Sequence, residues 1–404
     1  MMRRVYLDNN ATTPVLPEVL EAMRPYFGER FGNASSIHHH GQETRAAVER
    51  ARESVAALLG CRASEVVFTS GGTEADNLAV LGLARSGDHV ITSTIEHHAV
   101  LNACKHLAKY RDKYRDEYRE TTGCEVTYLP VDGRGLVDPA DVKRAVRSNT
   151  KLITIMFANN ETGVLQPVAE IGKIAAEADI YFHTDAVQAA GKVPIDVNQI
   201  GCDLLTISGH KFHGPQGVGA LYVRKGTQLE PMLYGGSHER SRRAGTENVP
   251  GIVGLGKAAE LASVGFECGD DLQHRKMAAA RDRLERELLE IEATGLNGEG
   301  APRVPNTTSI YFDGIDGEAL LIALDLKGLA VSTGAACSSG AIEPSHVLIA
   351  MGLRPDRAKA SIRFSLGKQN TPEDADFALS LVPETVSRLR EISPVYNVVA
   401  KAQK

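Results

Sequence analysis

Short apolar runs rich in β-branched residues alternate with segments of helical spacing between residues 125 and 223 of the 404-residue chain. Runs at 126–129, 152–157, 180–183, 203–207 and 220–223 predict strands, and the intervals near 139–147 and 168–178 predict helices. Such alternation implies βαβ units and a mainly parallel sheet. Upstream, the same reading gives a strand at 5–7, a helix from about Pro17, a helix over 42–59 stopped by Gly60, a strand at 66–70, a helix over 74–84 and a strand at 90–93. Residues 109–120 are dense in charge, with tyrosines at 110, 114 and 118 on one stripe and Lys113 and Glu117 four apart. That pattern predicts a solvated helical extension, a partner surface being the sharper alternative. A helix rich in Arg, Glu and Leu near 272–291 opens the remaining part. The expected organisation is a large α/β domain over 15–260 and a smaller α+β domain made of 1–14 with 261–404.

Polar residues gather where the strands end. Ala158-Asn159-Asn160-Glu161-Thr162-Gly163 follows one predicted strand, Thr184-Asp185-Ala186-Val187-Gln188 another, and Ser208-Gly209-His210-Lys211 a third. Together they bring a carboxylate, amides, an imidazole and an amine to one sheet edge, where open α/β sheets keep their ligands. Lys211 adjoins His210 and apolar neighbours, a setting that lowers basicity and suits an amine nucleophile able to form a Schiff base. Gly71-Gly72-Thr73 turns from a strand into a helix, so nearby amides are placed to hold a phosphate; a plain helix cap explains the same residues. No Walker lysine follows these glycines. His97 opens another helix at a strand end. The segment Asp8 to Pro14 either lines a site or caps the helix that follows.

Charge narrows the field. A net charge of -6 and no dense Lys/Arg stripe argue against nucleic acid as a partner. The first ten residues lack the apolar core of a signal peptide and no run of 18 apolar residues occurs, so neither a membrane span nor export is expected and the location is taken as cytoplasmic. Cysteines 61, 104, 124, 202, 268 and 337 form no Cys-x-x-Cys pair, which argues against a disulfide framework and an intrinsic metal site. The three adjacent histidines 38–40 point in divergent directions and do not read as a metal patch.

A reactive lysine, an acid for a pyridinium nitrogen and a phosphate cradle are the parts that pyridoxal phosphate requires. Lys211, Asp185 and the Gly72-Thr73 helix start fill them. A dinucleotide-binding oxidoreductase is the rival from another class, because Gly254-x-Gly256-x-x-Ala259 resembles its fingerprint; it follows no convincing strand and reads as helix packing.

Taken in order, Tyr6-Leu-Asp-Asn-Asn-Ala-Thr-Thr13, Phe68-Thr-Ser-Gly-Gly-Thr-Glu74, Glu96-His97, Asn159-Asn-Glu-Thr-Gly163, His183-Thr-Asp-Ala-Val-Gln188, Ser208-Gly-His-Lys211, Arg243-Ala-Gly-Thr-Glu-Asn248, Ala336-Cys-Ser-Ser339 and Ser361-Ile-Arg-Phe-Ser365 resemble the NifS/IscS-type cysteine desulfurases. These are class V, pyridoxal-phosphate enzymes of fold type I. The resemblance covers nearly the whole chain and implies a large domain with a mainly parallel seven-stranded sheet. It implies Lys211 as the Schiff-base lysine, Asp185 at the ring nitrogen, Gln188 and Asn160 on the ring-oxygen side and His97 stacked on the ring. Gly72, Thr73, Ser208 and His210 would hold the phosphate, with Thr246 reaching it from a second subunit of a homodimer. Arg363, with Asn160, would bind the L-cysteine substrate. Cys337 would take the sulfur, His97 would accept its proton, and an iron–sulfur scaffold or other acceptor would receive it, with Cys337 as an iron–sulfur ligand shared with the scaffold. Cys337 sits among small and hydroxyl residues at 331–341, which suits a mobile loop of the small domain better than a core. The remaining cysteines are expected to be structural.

Selenocysteine lyase and aminotransferase chemistry remain the alternatives within this fold. Two departures from the family pattern are the longer charged stretch at 109–120 and an end at Lys404 without the tail that housekeeping members extend toward their scaffold. Nitrogen fixation and housekeeping both stay open.

Overall fold

The computed structural model describes residues 3–113, 115–116, 119–120, 123–267, 272–334, 343–393 and 396. Its strands, in chain order, are β1 (Val5–Tyr6), β2 (Val66–Thr69), β3 (His89–Ser93), β4 (Arg115–Asp116), β5 (Arg119–Glu120), β6 (Glu125–Leu129), β7 (Thr150–Thr154), β8 (Tyr181–Asp185), β9 (Leu204–Ser208), β10 (Gly219–Val223), β11 (Thr294–Leu296), β12 (Thr307–Phe312), β13 (Leu329–Ala330) and β14 (Ser361–Ser365). Seven of them form one sheet in the order β2-β10-β9-β8-β7-β3-β6. Only β10 runs against its neighbours. The other pairings are parallel, as the alternation of strands and helices requires. Strands β8 and β9 are adjacent and in register from His183 opposite Leu204 to Asp185 opposite Thr206. That register brings the ends bearing Asp185 and Lys211 side by side.

Helices cover both faces because all five residues of β3, β9 and β10 are buried. Four precede most of the parallel core: α1 (Pro17–Met23), α2 (His39–Leu59), α3 (Gly72–Leu83) and α4 (His98–Lys113). Gly60 ends α2 in the left-handed conformation at φ 68°, as a glycine stop should. The suspected dinucleotide fingerprint lies inside the helix Val249–Glu267, where a Cβ at Gly256 would stand 2.5 Å from Ala51 Cα and one at Gly254 2.6 Å from Met23 Sδ. Those glycines let the helix approach α1 and α2, and no strand precedes them.

A second apolar cluster, including Val5, Leu7, Leu284, Leu288, Phe312, Leu320, Phe364 and Val382, lies around an antiparallel sheet of order β11-β12-β14. The N-terminal strand joins it through β1–β13 pairing and an Asp8–Ser365 bridge. One expectation fails in this description. The helix at 109–120 stops at Lys113 and is followed by the antiparallel pair β4–β5, with Arg115 opposite Glu120 and Asp116 opposite Arg119. Opposite charges four apart support a helix, but Arg115, Asp116, Arg119 and Glu120 also suit an antiparallel pair that sets opposite charges across from each other.

Candidate active site

The carboxyl ends of β2, β8 and β9 meet around the start of α3. This helix begins at Gly72, and its cap residue Gly71 offers no side-chain hydrogen bond, so the first amides of α3 receive no side-chain cap and form an anion site with the helix dipole. Thr73 lies inside the first turn and is not the cap. A Cβ at Gly72 would meet Val187 Cγ2 at 2.9 Å, while one at Gly71 would find only Ser208 Oγ, at 4.0 Å. The cradle therefore opens toward Ser208. His210, beside it, exchanges a 3.1 Å hydrogen bond with Thr12 Oγ1 through Nδ1, and burial holds its ring neutral with a pKa of about 4.

Lys211 occupies a single 3-10 turn, Gly209–Lys211, directly after β9. Its Nζ donates to two main-chain oxygens, Asn10 O at 2.7 Å and Ala11 O at 2.8 Å. The segment at 8–14 thus lines the site, which settles the choice its sequence left open. Asn10 is buried and every polar atom is used: its N–H donates to Ser365 Oγ at 2.9 Å, and Nδ2 to Thr307 Oγ1 at 2.9 Å and Asn160 O at 3.2 Å. Gln188 Nε2 donates to Asn10 O at 2.9 Å. A second lysine, Lys192, also reaches this cluster; sequence reading missed it, since one lysine near the end of an apolar stretch gives no hint of burial.

Asp185, 6% exposed, ends β8 and accepts the Val187 N–H at 2.9 Å. Beneath it Asp76, on α3, is buried as well. Burial pushes both carboxyls above their ordinary range, and their mutual proximity pushes Asp76 further. A shared proton relieves such a pair, and a cation next to Asp185 would favour its ionised form. His183 underlies both, with Nδ1 2.8 Å from Thr154 Oγ1 and Nε2 3.0 Å from Thr206 Oγ1. Burial lowers its pKa to about 3, so the ring is neutral. Asp76 has one oxygen without a hydrogen-bond partner and was not singled out by the sequence, where it is one acid in an amphipathic helix.

His97 precedes α4, and its Nδ1 accepts the Ala99 N–H at 3.1 Å. Burial, then the charge of Lys211, lowers its pKa to about 4. A neutral ring with Nδ1 committed carries its proton on Nε2 and is a donor there. To serve as the base expected for Cys337, it would first have to give up the Ala99 bond. Glu96 is fully buried beside it; Oε1 accepts Ser93 Oγ at 2.5 Å and Met156 N–H at 3.1 Å, and burial pushes its pKa up to about 8.

Arg363, 3% exposed, projects from the middle of β14. Nη1 donates to Asn160 O at 2.8 Å and Nη2 to Asp8 Oδ1 at 2.6 Å, while Nε has no partner. Asn160 is held through its main-chain carbonyl by Arg363 and Asn10. Buried Glu161, next in sequence, accepts from Ser345 Oγ, and burial raises its pKa.

Lys211, Asp185, Gln188, Gly72, Ser208 and His210 therefore gather at one sheet edge, and Arg363 reaches Asn160 and Asp8 from the other sheet. Thr246 is exposed in this chain; near it Arg243 pairs with Glu74 of α3 at 2.9 Å. Cys337 and Cys268 lie outside the described residues. Burial pushes the thiols of Cys61 and Cys104 up to about 12 and that of Cys124 up to about 11, and raises Cys202 as well. No cluster of three His, Cys, Asp or Glu suited to a metal occurs among the described residues. No helix among them is long and apolar enough to cross a membrane.

An uncapped helix N-terminus, a buried acid and an amine one strand away are groups that would suit a phosphorylated pyridine aldehyde. The profile of the family Aminotransferase class-V matches residues 5–377. A protein named cysteine desulfurase IscS from Methanosarcina thermophila is 52% identical over 397 residues, covering 97% of this chain and 94% of its own. Among solved structures, a NifS-like protein shares 37% identity at a TM-score of 0.84 over 96% of this chain and all of its own. A structure titled SspA in complex with cysteine shares 37% identity at 0.76, over 91% of this chain and 99% of its own.

Proposed function

The chain belongs to the class-V aminotransferase family, and from that premise we propose how its residues carry out the reaction. It is a cysteine desulfurase of the NifS/IscS type: L-cysteine becomes L-alanine and the sulfur passes to an enzyme thiol. The observation that carries this reading is the meeting of Lys211, buried Asp185 and the uncapped start of α3 at the ends of adjacent elements.

Pyridoxal 5'-phosphate, when bound, supplies an electron sink conjugated to the amino acid's Cα. Lys211 Nζ would hold it and would then move the α-proton of the substrate. Asp185 would carry the negative charge that keeps the ring nitrogen protonated. The amides of Gly72 and Thr73 with Ser208 and His210 would take the phosphate. Gln188 and Asn160 would serve the ring oxygen, and His97, a neutral Nε2–H donor, would serve the ring itself. Arg363 has an unpaired Nε and a contact to Asp8 that a substrate carboxylate would replace to be gripped by the guanidinium fork.

Cys337 Sγ takes the sulfur. Its bond to that sulfur forms as the substrate's Cβ–S bond breaks, Cβ gains a proton, and the products are alanine and a Cys337 persulfide; no external oxidant or reductant is needed. The buried thiols of Cys61, Cys104, Cys124 and Cys202 are held protonated and do not compete.

The working form is a homodimer. Apolar side chains stand in water on two neighbouring loops, Phe27, Phe31 and Ile37 (89% exposed) on one and Met232, Leu233 and Tyr234 (84% exposed) on the other. The loops touch through Ser35 Oγ and His238 Nδ1 at 3.4 Å. A second copy would cover them and receive Thr246 at its phosphate. The persulfide is passed to an iron–sulfur scaffold or another acceptor in the cytoplasm.

Cys337→Ser tests the chemistry. The variant should bind cysteine and change the cofactor spectrum, yet gain no sulfur by protein mass and yield almost no alanine. Normal alanine production by the serine variant, or wild-type turnover to pyruvate, would overturn it.

A further inference from the structure

Lys192 is a buried amine that the reaction above does not employ. It is 6% exposed, and Nζ donates to two side-chain oxygens, Asn10 Oδ1 at 3.0 Å and Gln188 Oε1 at 2.6 Å. Burial, and then the nearby charges of Lys211 and Arg363, hold its amine well below the usual lysine range.

Both acceptors are amides. An amide has nearly the same shape either way round, so its neighbours decide which end is oxygen. An ammonium has donors only, and a neutral amine, which also has one lone pair, has two N–H bonds to give to the two oxygens that it faces here. Lys192 therefore selects the oxygen ends. With Oε1 of Gln188 turned to Lys192, Nε2 faces the other way, where one N–H reaches Asn10 O at 2.9 Å. The second N–H of Nε2 has no acceptor among the described residues. Asn10 is oriented by the same logic, because Oδ1 takes Lys192 and Asn306 Nδ2, the latter at 3.1 Å, leaving Nδ2 for Asn160 O and Thr307 Oγ1. The Asn10 carbonyl then meets Lys211 Nζ at 2.7 Å.

We propose that Lys192 is a positioning residue: by holding the oxygens of Gln188 and Asn10, it presents the spare Gln188 N–H to the ring oxygen of the bound cofactor and keeps the Asn10 carbonyl beside Lys211. The assignment rests on the reading of Gln188 as a contact of that ring oxygen. Without Lys192, the Gln188 amide is free to turn Oε1 toward the ring, setting oxygen against oxygen.

The test is a double-mutant cycle on the holoenzyme, read by the cofactor dissociation constant and by the pH midpoint of the visible absorption band. Lys192→Met should weaken cofactor binding about tenfold, the scale of one well-placed hydrogen bond, and move the midpoint the same way as Gln188→Ala. In the Gln188→Ala background it should change neither quantity further. Lys192→Gln, whose shorter donor reaches one oxygen, should give an intermediate shift and serves if the methionine variant does not fold. Additive effects would overturn the proposal, as would a shift with Gln188→Ala and none with Lys192→Met, or failure of both lysine variants to fold. If Gln188→Ala itself moved neither readout, the reading of Gln188 would fall and this proposal with it, whereas a wild-type protein with no visible band would remove the cofactor assignment itself.

Discussion

Asp185 and Arg363 are both buried charged groups on strands, but one ends the central strand of the parallel sheet and the other lies midway along an edge strand of the antiparallel one. Asp185 takes its hydrogen bond from Val187, two residues on, and is buffered by Asp76 from the adjoining helix. Arg363 is held by Asp8, 355 residues away in sequence, and by the main chain of Asn160, 203 residues away. Its Nε is left unpaired. The side proposed for the cofactor is thus built largely from neighbouring parts of the large sheet, while the side proposed for the substrate is assembled from three distant segments and keeps one donor unspent. The proposed cofactor side has its polar groups committed, whereas Arg363 keeps Nε for a further acceptor.

Breaking the proposed cofactor side should cost most. Lys211→Ala is expected to lower turnover by about a thousandfold or more and to abolish covalent attachment of the cofactor. Borohydride trapping followed by peptide mapping checks this in the wild type, where the label should fall on Lys211 and not on neighbouring Lys192. On the proposed substrate side, Arg363→Lys should raise KM for cysteine by roughly ten- to a hundredfold, since a point charge cannot form the bidentate fork, and should leave the cofactor dissociation constant unchanged. Equal damage to both constants would erase the distinction between the two sides.

The smallest effect is a pH dependence of stability. His97, His210 and His213 have pKa values lowered by burial to about 4, and His183 to about 3, from an ordinary 6.5; all four belong to the seven-stranded part. The unfolded chain takes up these protons first as pH falls, so stability should decline from about pH 6.5 toward 4. Glu96 acts in the opposite sense: raised to about 8 from 4.5, it binds its proton more tightly when folded and withdraws stability as pH rises through that window. Hydrogen exchange between pH 7 and 5 should show protection lost first in β8 and β9, with β12 and β14 following. The reverse order would mean that the buried histidines do not set the acid limit.

The site was legible where function coincides with a local rule. Parallel strands end in turns, and turns that carry Asp, Lys and Gly-Gly-Thr at matching depths announce themselves in a single sequence. Lys192 and Asp76 were not legible. A lysine near the end of an apolar stretch reads as an ordinary solvated charge, and nothing local says that Asn10 and Gln188 will close around it. The stretch at 109–120 misled because charge spacing fits a helix and a hairpin alike.

By itself the sequence determined the alternation of strands and helices, the parallel sheet, the family, and the residues at the strand ends, because period and turn chemistry act over a few residues. Only the tertiary structure decided which amide ends face Lys192, that Asp76 shares the burial of Asp185, that His97 spends Nδ1 on its own helix, and that Arg363 keeps Nε unpaired. These depend on desolvation and on partners up to 355 residues apart, and the free energy of a buried polar group is set by what surrounds it in space, not by what adjoins it in the chain.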